Sequence, residues 1–188
     1  ALTAKTLKTG GVAIAFVGDG GSNQGTTFES YNMAKVLNLP VIFVVEDNGY
    51  AEATASAWSV GGSQLGRAAG FGMPGYQVDG FDFFGVYDVA REVIERARNG
   101  GGPSLVHVQL TRYYGHFEGD AMSYRLPDEV ARLRSQQDCL VRFRQRVLEA
   151  AHLEPEALDQ IDHEVKSQID QVTAEAKVAA VPTAADLM

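Results

Sequence analysis

Asp19 and Asn48 are oxygen-donating side chains 29 positions apart, and each stands just beyond a run of apolar residues. VAIAFV at 12–17 precedes Asp19, and VIFVV at 41–45 precedes Asn48. Continuous apolar runs of this length read as strands buried on both faces. Between them a helical pattern covers 23–37, with Phe28, Tyr31, Ala34 and Leu37 on one face. Strand, helix and strand make a βαβ unit, hence parallel strands joined by a right-handed crossover. Ligands of open parallel sheets sit outside the carboxyl ends of the strands. Neighbouring strands about 4.8 Å apart would put Asp19 and Asn48 on one rim. Two oxygen donors there can share a hard cation. Magnesium takes oxygen ligands at about 2.0–2.1 Å, commonly one or two protein groups plus phosphate oxygens. Gly20, Gly21, Ser22 and Asn23 follow Asp19 directly and open the helix, offering backbone N–H groups and a positive dipole end to an anion. The chemistry these residues point to is magnesium with a diphosphate. Taken alone, Asp19 fits a helix-capping aspartate equally well.

The elements that must position this rim continue along the chain. Residues 51–75 are rich in Gly, Ser and Ala with weak periodicity, a long connection of the kind that is functional or mobile. A short strand is expected at 76–78, a turn at Asp79-Gly80, a helix over 82–98, a break at 99–103 and a strand at 104–110 (SLVHVQL). The expected fold is α/β, an open, mostly parallel sheet with flanking helices. Residues 111–125 (TRYYGHFEGDAMSYR) follow neither period and should form a mobile loop. A long helix is expected over 128–151 behind Pro127. An amphipathic one should cover 158–178, with Ile161, Val165, Ile169 and Val172 on its packed side. The division expected is a ligand-binding α/β domain at 1–150 and a C-terminal helical extension at 151–188. Residues 1–8 read as the last turns of a helix that stops at Gly10-Gly11, so the expectation is a domain whose N-terminal part is missing.

Composition narrows the function classes. With 188 residues, 45% hydrophobic and 21% charged, the chain fits one ordinary globular domain with a tail. Its formal charge of −8 argues against nucleic acid or an anionic membrane surface as partner. The lone cysteine, Cys139, suits a reducing compartment. No segment approaches the roughly 20 apolar residues of a membrane helix and no leader is evident, so the expectation is a cytoplasmic protein.

GDGGSNQG at 18–25, FESYNMA at 28–34 and EDNGYA at 46–51 resemble the thiamine diphosphate motif of the alpha subunits of 2-oxo-acid and acetoin dehydrogenase decarboxylase components. That motif opens on GDG and closes on NN about thirty residues later. TRYYGHFEGDAMSYR resembles the same family's phosphate-side loop, and LDQIDHEVKSQID its C-terminal helix. The likeness runs through nearly the whole chain in order. It implies thiamine diphosphate and Mg2+ as cofactors. Asp19 and Asn48 would be side-chain ligands of the metal, and Tyr50 would add its backbone carbonyl. Gly18, Gly20 and Gly21 would contact the diphosphate through the backbone. His116 would donate to a phosphate oxygen and is the one candidate catalytic residue. The implied reaction is attack of the cofactor's carbon nucleophile on acetoin or a 2-oxo acid, carbon–carbon cleavage, and transfer to a lipoyl group on an acyltransferase component. A beta subunit would hold the aminopyrimidine and bring the activating glutamate, giving an alpha–beta heterotetramer. The 188 residues alone are therefore expected not to turn over.

The departures from the pattern matter as much. The closing pair is Asp47-Asn48 rather than Asn-Asn, which keeps the ligand position but adds a carboxylate beside it. Phe117 stands where mitochondrial pyruvate dehydrogenases carry a regulatory serine, and HFEGD looks closer to acetoin dehydrogenase. His107 reads as a core histidine, Tyr113, Tyr114 and Tyr124 as packing residues, and Glu29 and Glu52 as non-catalytic. Arg112 and Arg125 are expected to brace the loop through carboxylates such as Asp120. Asp47 and the absent N-terminal part leave open a non-catalytic binding or assembly subunit that keeps the fold. A nucleotide-binding Rossmann enzyme is weaker, because the first turn lacks G-x-G-x-x-G.

Overall fold

A computed structural model describes residues 1–187. The chain divides into two compact units, 1–142 and 143–188. In the first, α1 (Leu2–Leu7) leads to β1 (Ala13–Gly18), α2 (Gly25–Val36) and β2 (Val41–Asp47). A two-stranded hairpin of β3 (Tyr50–Ala51) and β4 (Thr54–Ala55) follows, then the short α3 (Ser56–Ser59) and α4 (Gln64–Gly70). The core closes with β5 (Gly75–Asp79), α5 (Phe83–Arg98) and β6 (Ser104–Gln109). Beyond the loop come α6 (Glu129–Gln136), α7 (Cys139–Glu149), which carries the chain into the second unit, and α8 (Pro155–Val178).

The described residues form a parallel sheet in the order β1-β2-β6-β5. This is the expected α/β architecture, and it follows from side-chain alternation. Val41, Phe43 and Val45 face one layer with Tyr31, Ala34, Ala68, Met73 and Leu105. Ile42 and Val44 face the other, where Val93 of α5 meets Val78, Val106 and Val108. Each large apolar side chain taken fully out of water stabilises by about 1.5–3 kcal/mol. β2 and β6 are the central strands, each paired on both sides.

Four expectations need correction. β1 does not bury both faces: it lies at the edge of the sheet, and Phe16 is 66% exposed. The helix expected over 128–151 is two helices, broken at Gln137 and Asp138, whose carboxylate caps the second by accepting from the amides of Leu140 and Val141. The 51–75 connection contains the hairpin, α3 and α4, elements too short for periodicity to reveal. In the second unit, the stripe Ile161, Val165, Ile169 and Val172 of α8 is exposed rather than packed.

Tyr31 is fully buried, and its ring meets Phe43 edge-on at 4.7 Å and Phe71 at 5.8 Å. Its hydroxyl finds no hydrogen-bond partner among the described residues. The ring supplies packing while the buried hydroxyl works against it. Tyr31→Phe is expected to hold or raise the thermal midpoint, by up to about 1 kcal/mol. Tyr31→Ala should cost about 3–5 kcal/mol. Thermal unfolding followed by circular dichroism checks both, and a clear loss in the phenylalanine variant would show that the hydroxyl is satisfied.

Candidate functional site

The β1–β2 register pairs Gly18 with Glu46, so Asp19 leaves the sheet on the same rim as Asp47 and Asn48. After Asp19 the chain turns sharply. A Cβ on Gly20 would lie 2.4 Å from the Cβ of Ala51, and one on Gly21 would lie 2.7 Å from Val17 Cγ2. Only glycine lets the Asp19 turn rest directly on the segment that follows Asn48. A 3-10 turn, Gly21–Asn23, comes next, and α2 opens at Gly25, two residues later than its pattern suggested. The turn is pinned from outside. The Ser22 hydroxyl donates to the Asp19 carbonyl at 2.6 Å and accepts from Gln64 Nε2 at 2.9 Å. The Arg67 guanidinium donates to the Ser22 carbonyl at 2.9 Å, to Asn23 Oδ1 at 2.8 Å and to the Gly61 carbonyl at 3.1 Å.

Asp19 itself is 1% exposed, and its Oδ2 accepts no hydrogen bond among the described residues. Burial pushes its carboxyl above the ordinary carboxylate range, and the nearby Asp47 charge adds to this. The backbone amides of Asp19 and Gly20, with the Arg112 guanidinium, pull the other way. One oxygen of this carboxylate thus lacks the partner a buried charge needs.

Across the rim, β2 ends at Asp47 and the chain doubles back through Gly49 at φ +86°, a conformation that favours glycine. Gly49 N–H donates to Asp47 Oδ1 at 3.1 Å, and Tyr50 N–H to Asn48 Oδ1 at 3.2 Å. Asp47 Oδ2 lies 3.1 Å from His107 Nε2. An open cleft of about 320 Å³, lined by Asp47, Asn48, Tyr50, Gln109 and Arg125 among others, lies outside the ends of β2 and β6. Asp19 is not part of its lining.

Residues 111–125 contain no regular element, as the missing periodicity implied, yet polar contacts tie them down. Arg112 donates to the Glu52 carbonyl at 2.8 Å, the Tyr114 carbonyl at 3.1 Å and the Tyr124 hydroxyl at 2.6 Å, and reaches the Tyr50 carbonyl at 3.5 Å. Its Nη1 lies 3.4 Å from Nδ1 of the exposed His116. Asp120 accepts from the amides of His116 and Met122, both at 2.8 Å, and from the Tyr124 hydroxyl at 2.7 Å. These bonds hold its carboxyl below the ordinary carboxylate range. The expected bracing is real but differently wired. Arg112 grips backbone carbonyls rather than Asp120, and Arg125 pairs with Glu129 at 2.7 Å while lying over the Tyr50 ring at 4.8 Å.

The structure thus gathers Asp19, Gly20 and Gly21 against the Asn48–Tyr50 turn, and Arg112 links that turn to the His116 loop. Gly18 ends β1 behind them and is exposed. Glu29 and Glu52 are exposed. Gln64, Arg67 and His107 belong to the site's support. The first two sit in a stretch without periodicity, and the third is hidden in an apolar strand, so only its contact with Asp47 reveals it. Among the described residues no three His, Cys, Asp or Glu side chains gather to hold a metal ion. A cation here would draw on a carboxylate, an amide, a carbonyl and the ligand's own oxygens, which is a donor set suited to magnesium.

Comparison with known proteins identifies the family. The family model described as the dehydrogenase E1 component matches residues 1–185. The chain is 52% identical to the alpha subunit of acetoin:2,6-dichlorophenolindophenol oxidoreductase of Cupriavidus necator, across the full chain and 57% of that relative. It is 43% identical to the same subunit of Bacillus subtilis, over the full chain and 56% of the relative. It is 40% identical to the pyruvate dehydrogenase E1 component alpha subunit of Rhizobium meliloti, over 82% of the chain and 45% of the relative. The chain spans about half the length of these relatives. Taken with the fold and the rim, the match over nearly its whole length shows that the chain belongs to the dehydrogenase E1 component family.

Proposed function

We propose that the chain is the cofactor-holding part of an alpha subunit that binds magnesium and the diphosphate of thiamine diphosphate, working with a beta subunit on acetoin or a 2-oxo acid. The buried, unpartnered carboxylate oxygen of Asp19 carries this reading. A buried charge needs a counter-charge, and a divalent cation supplies one. Asp19, Asn48 Oδ1 and the Tyr50 carbonyl would hold the metal. Gly20 and Gly21, where added Cβ atoms would collide with the neighbouring segments, leave backbone bare for a diphosphate. His116, on a loop tethered by Asp120, would donate to a phosphate oxygen. Thiamine diphosphate, when bound, supplies a carbon nucleophile that opens the bond beside a carbonyl. The residues here bind and orient it. Acetoin is the substrate favoured by HFEGD at 116–120 and by the 52% identity to an acetoin-oxidising relative. Passage of the product unit to a lipoyl-bearing acyltransferase belongs to the same reading.

Calorimetric titration of the full-length chain with thiamine diphosphate, with and without magnesium, is the test. Magnesium-dependent binding is expected, and its absence would leave the alternative of a fold-preserving assembly subunit. Dye-coupled turnover with the beta subunit present should then be fastest on acetoin among acetoin, pyruvate and 2-oxoisovalerate. Asp19→Asn should weaken magnesium-dependent cofactor binding at least tenfold, about 1.4 kcal/mol or more. The cofactor-free variant should melt no lower than the parent, since a buried uncompensated charge has been removed. An unchanged affinity would remove Asp19 from the metal site.

The loop adds a pH dependence with a definite sign. Asp120 has a folded pKa below its unfolded value near 4. Its stabilisation is therefore complete above that unfolded value and is lost as pH falls through the folded one. Amide protection at His116 and Met122 should hold from neutral pH down to about 5 and collapse below about 4. Asp120→Asn should lower it already at neutral pH. Protection in that variant equal to the parent's would show that the carboxylate does not order the loop.

A further inference from the structure

We infer that His107 is a positioning residue for the metal-binding turn, acting through Asp47, and that it holds this carboxylate away from the cation's place. The inference rests on the magnesium reading above and names a device within it. Asp47 is a carboxylate at the rim, next to Asn48, with no assigned task. It shares the rim with Asp19, whose carboxyl its charge helps to push up. Both of its oxygens are spoken for. Oδ1 accepts the Gly49 N–H at 3.1 Å, and Oδ2 meets His107 Nε2 at 3.1 Å. A carboxylate only accepts hydrogen bonds, so Nε2 carries the proton and donates.

The strand geometry makes this pairing specific. His107 stands opposite Val45 in the β2–β6 register, and Asp47 lies two residues beyond Val45 on the same face, a diagonal cross-strand neighbour. His107 is 8% exposed and fixed in a strand buried along five of its six positions, so the donor cannot wander. The Asp47 carbonyl is held as well, accepting Leu110 N–H at 3.0 Å. The chain of contacts runs from His107 to Asp47, to the Gly49 amide, and so to the turn that carries Asn48 and Tyr50. Without His107, Asp47 is free to leave Gly49 and swing toward the cation, which loosens the turn and misplaces a charge together. Outer contacts of this kind to metal-ligating segments are worth about 10–100-fold in metal affinity.

His107→Leu and His107→Gln in the full-length chain with its beta subunit provide the test, since a glutamine amide nitrogen can reach where Nε2 stands. In the leucine variant, the magnesium concentration for half-maximal thiamine diphosphate binding should rise about tenfold. Cofactor affinity at saturating magnesium should recover, which a general loss of structure would not allow. The glutamine variant should return to within about twofold of the parent. Hydrogen exchange on the cofactor-free protein reads the turn without any ligand, and the Gly49 and Tyr50 amides should exchange faster in the leucine variant than in the glutamine one. Equal behaviour of the two variants, or no change in either readout, would overturn the inference. Should the leucine variant not fold, Asp47→Ala, which also removes the acceptor of the Gly49 amide, must show the faster exchange of the turn, and parent-like exchange there would overturn it equally. A parent protein indifferent to magnesium would sink the cofactor reading, while the exchange data would still judge His107 on their own.

Discussion

A carboxylate taken out of water with one oxygen unpartnered is the constraint around which this rim is organised. Asp19 is among the most buried side chains of the described residues, and the desolvation of its charge is unfavourable; in the proposed reading a bound cation offsets it. Everything next to it serves to keep it in that position. Ser22 locks its carbonyl, Gln64 and Arg67 lock Ser22, and two glycines bring the turn into contact with Val17 and Ala51. Such supports cost little in the folded chain because each is a backbone or hydroxyl contact made at normal distance. What they prevent is relaxation of the carboxylate toward solvent. Ground-state stability is given up locally for a prepared site.

Much of this was legible from residue types alone. The two apolar runs, the helix between them and the placement of Asp19 and Asn48 on one rim follow from the period of side-chain burial, and the β1–β2 register bears them out. The reading of β1 as doubly buried failed for an instructive reason. Apolar composition reports what a strand can bury, whereas exposure depends on which neighbours the sheet offers, and β1 has a strand on one side among the described residues. Residues 51–75 failed differently. Helices of four and seven residues and a hairpin of two-residue strands are too short to show a period, so Gln64 and Arg67 were invisible as supports of the rim. The break in the helix over 128–151 was marked only by Asp138, a residue that caps as readily as it sits on a helix surface.

His107 and Asp47 illustrate a limit of reading positions singly. Asp47 looks like a defect when taken alone, an extra negative charge beside a ligand. His107 looks like filler when taken alone, a polar residue in an apolar strand. Their meaning is in the diagonal contact between two parallel strands that are 60 residues apart in the chain. Arg112 makes the same point at larger scale. Its guanidinium collects carbonyls from the β3 region and from its own loop, and the loop's order is decided by those long-range bonds rather than by local propensity.

In the proposed reading, the electrostatic balance gives the metal the governing part in binding rather than an assisting one. The chain carries a formal charge of −8, and Asp19, Asp47 and Glu46 all lie on or beside the rim. Against an incoming diphosphate these charges are repulsive at contact range. Salt screens them little where they are buried, although the Debye length is about 8 Å at physiological ionic strength. Arg112 offsets part of that field and already spends its donors on carbonyls and on Tyr124. The helix dipole of α2 is also remote, since a 3-10 turn separates its first residue from Asp19 and the amides of Asn23 and Gln24 close that turn. With the dipole displaced and the arginine engaged, a divalent cation is the remaining source of positive charge strong enough to reverse the sign of the rim. On that reading, cation and anion would bind as one unit or hardly at all.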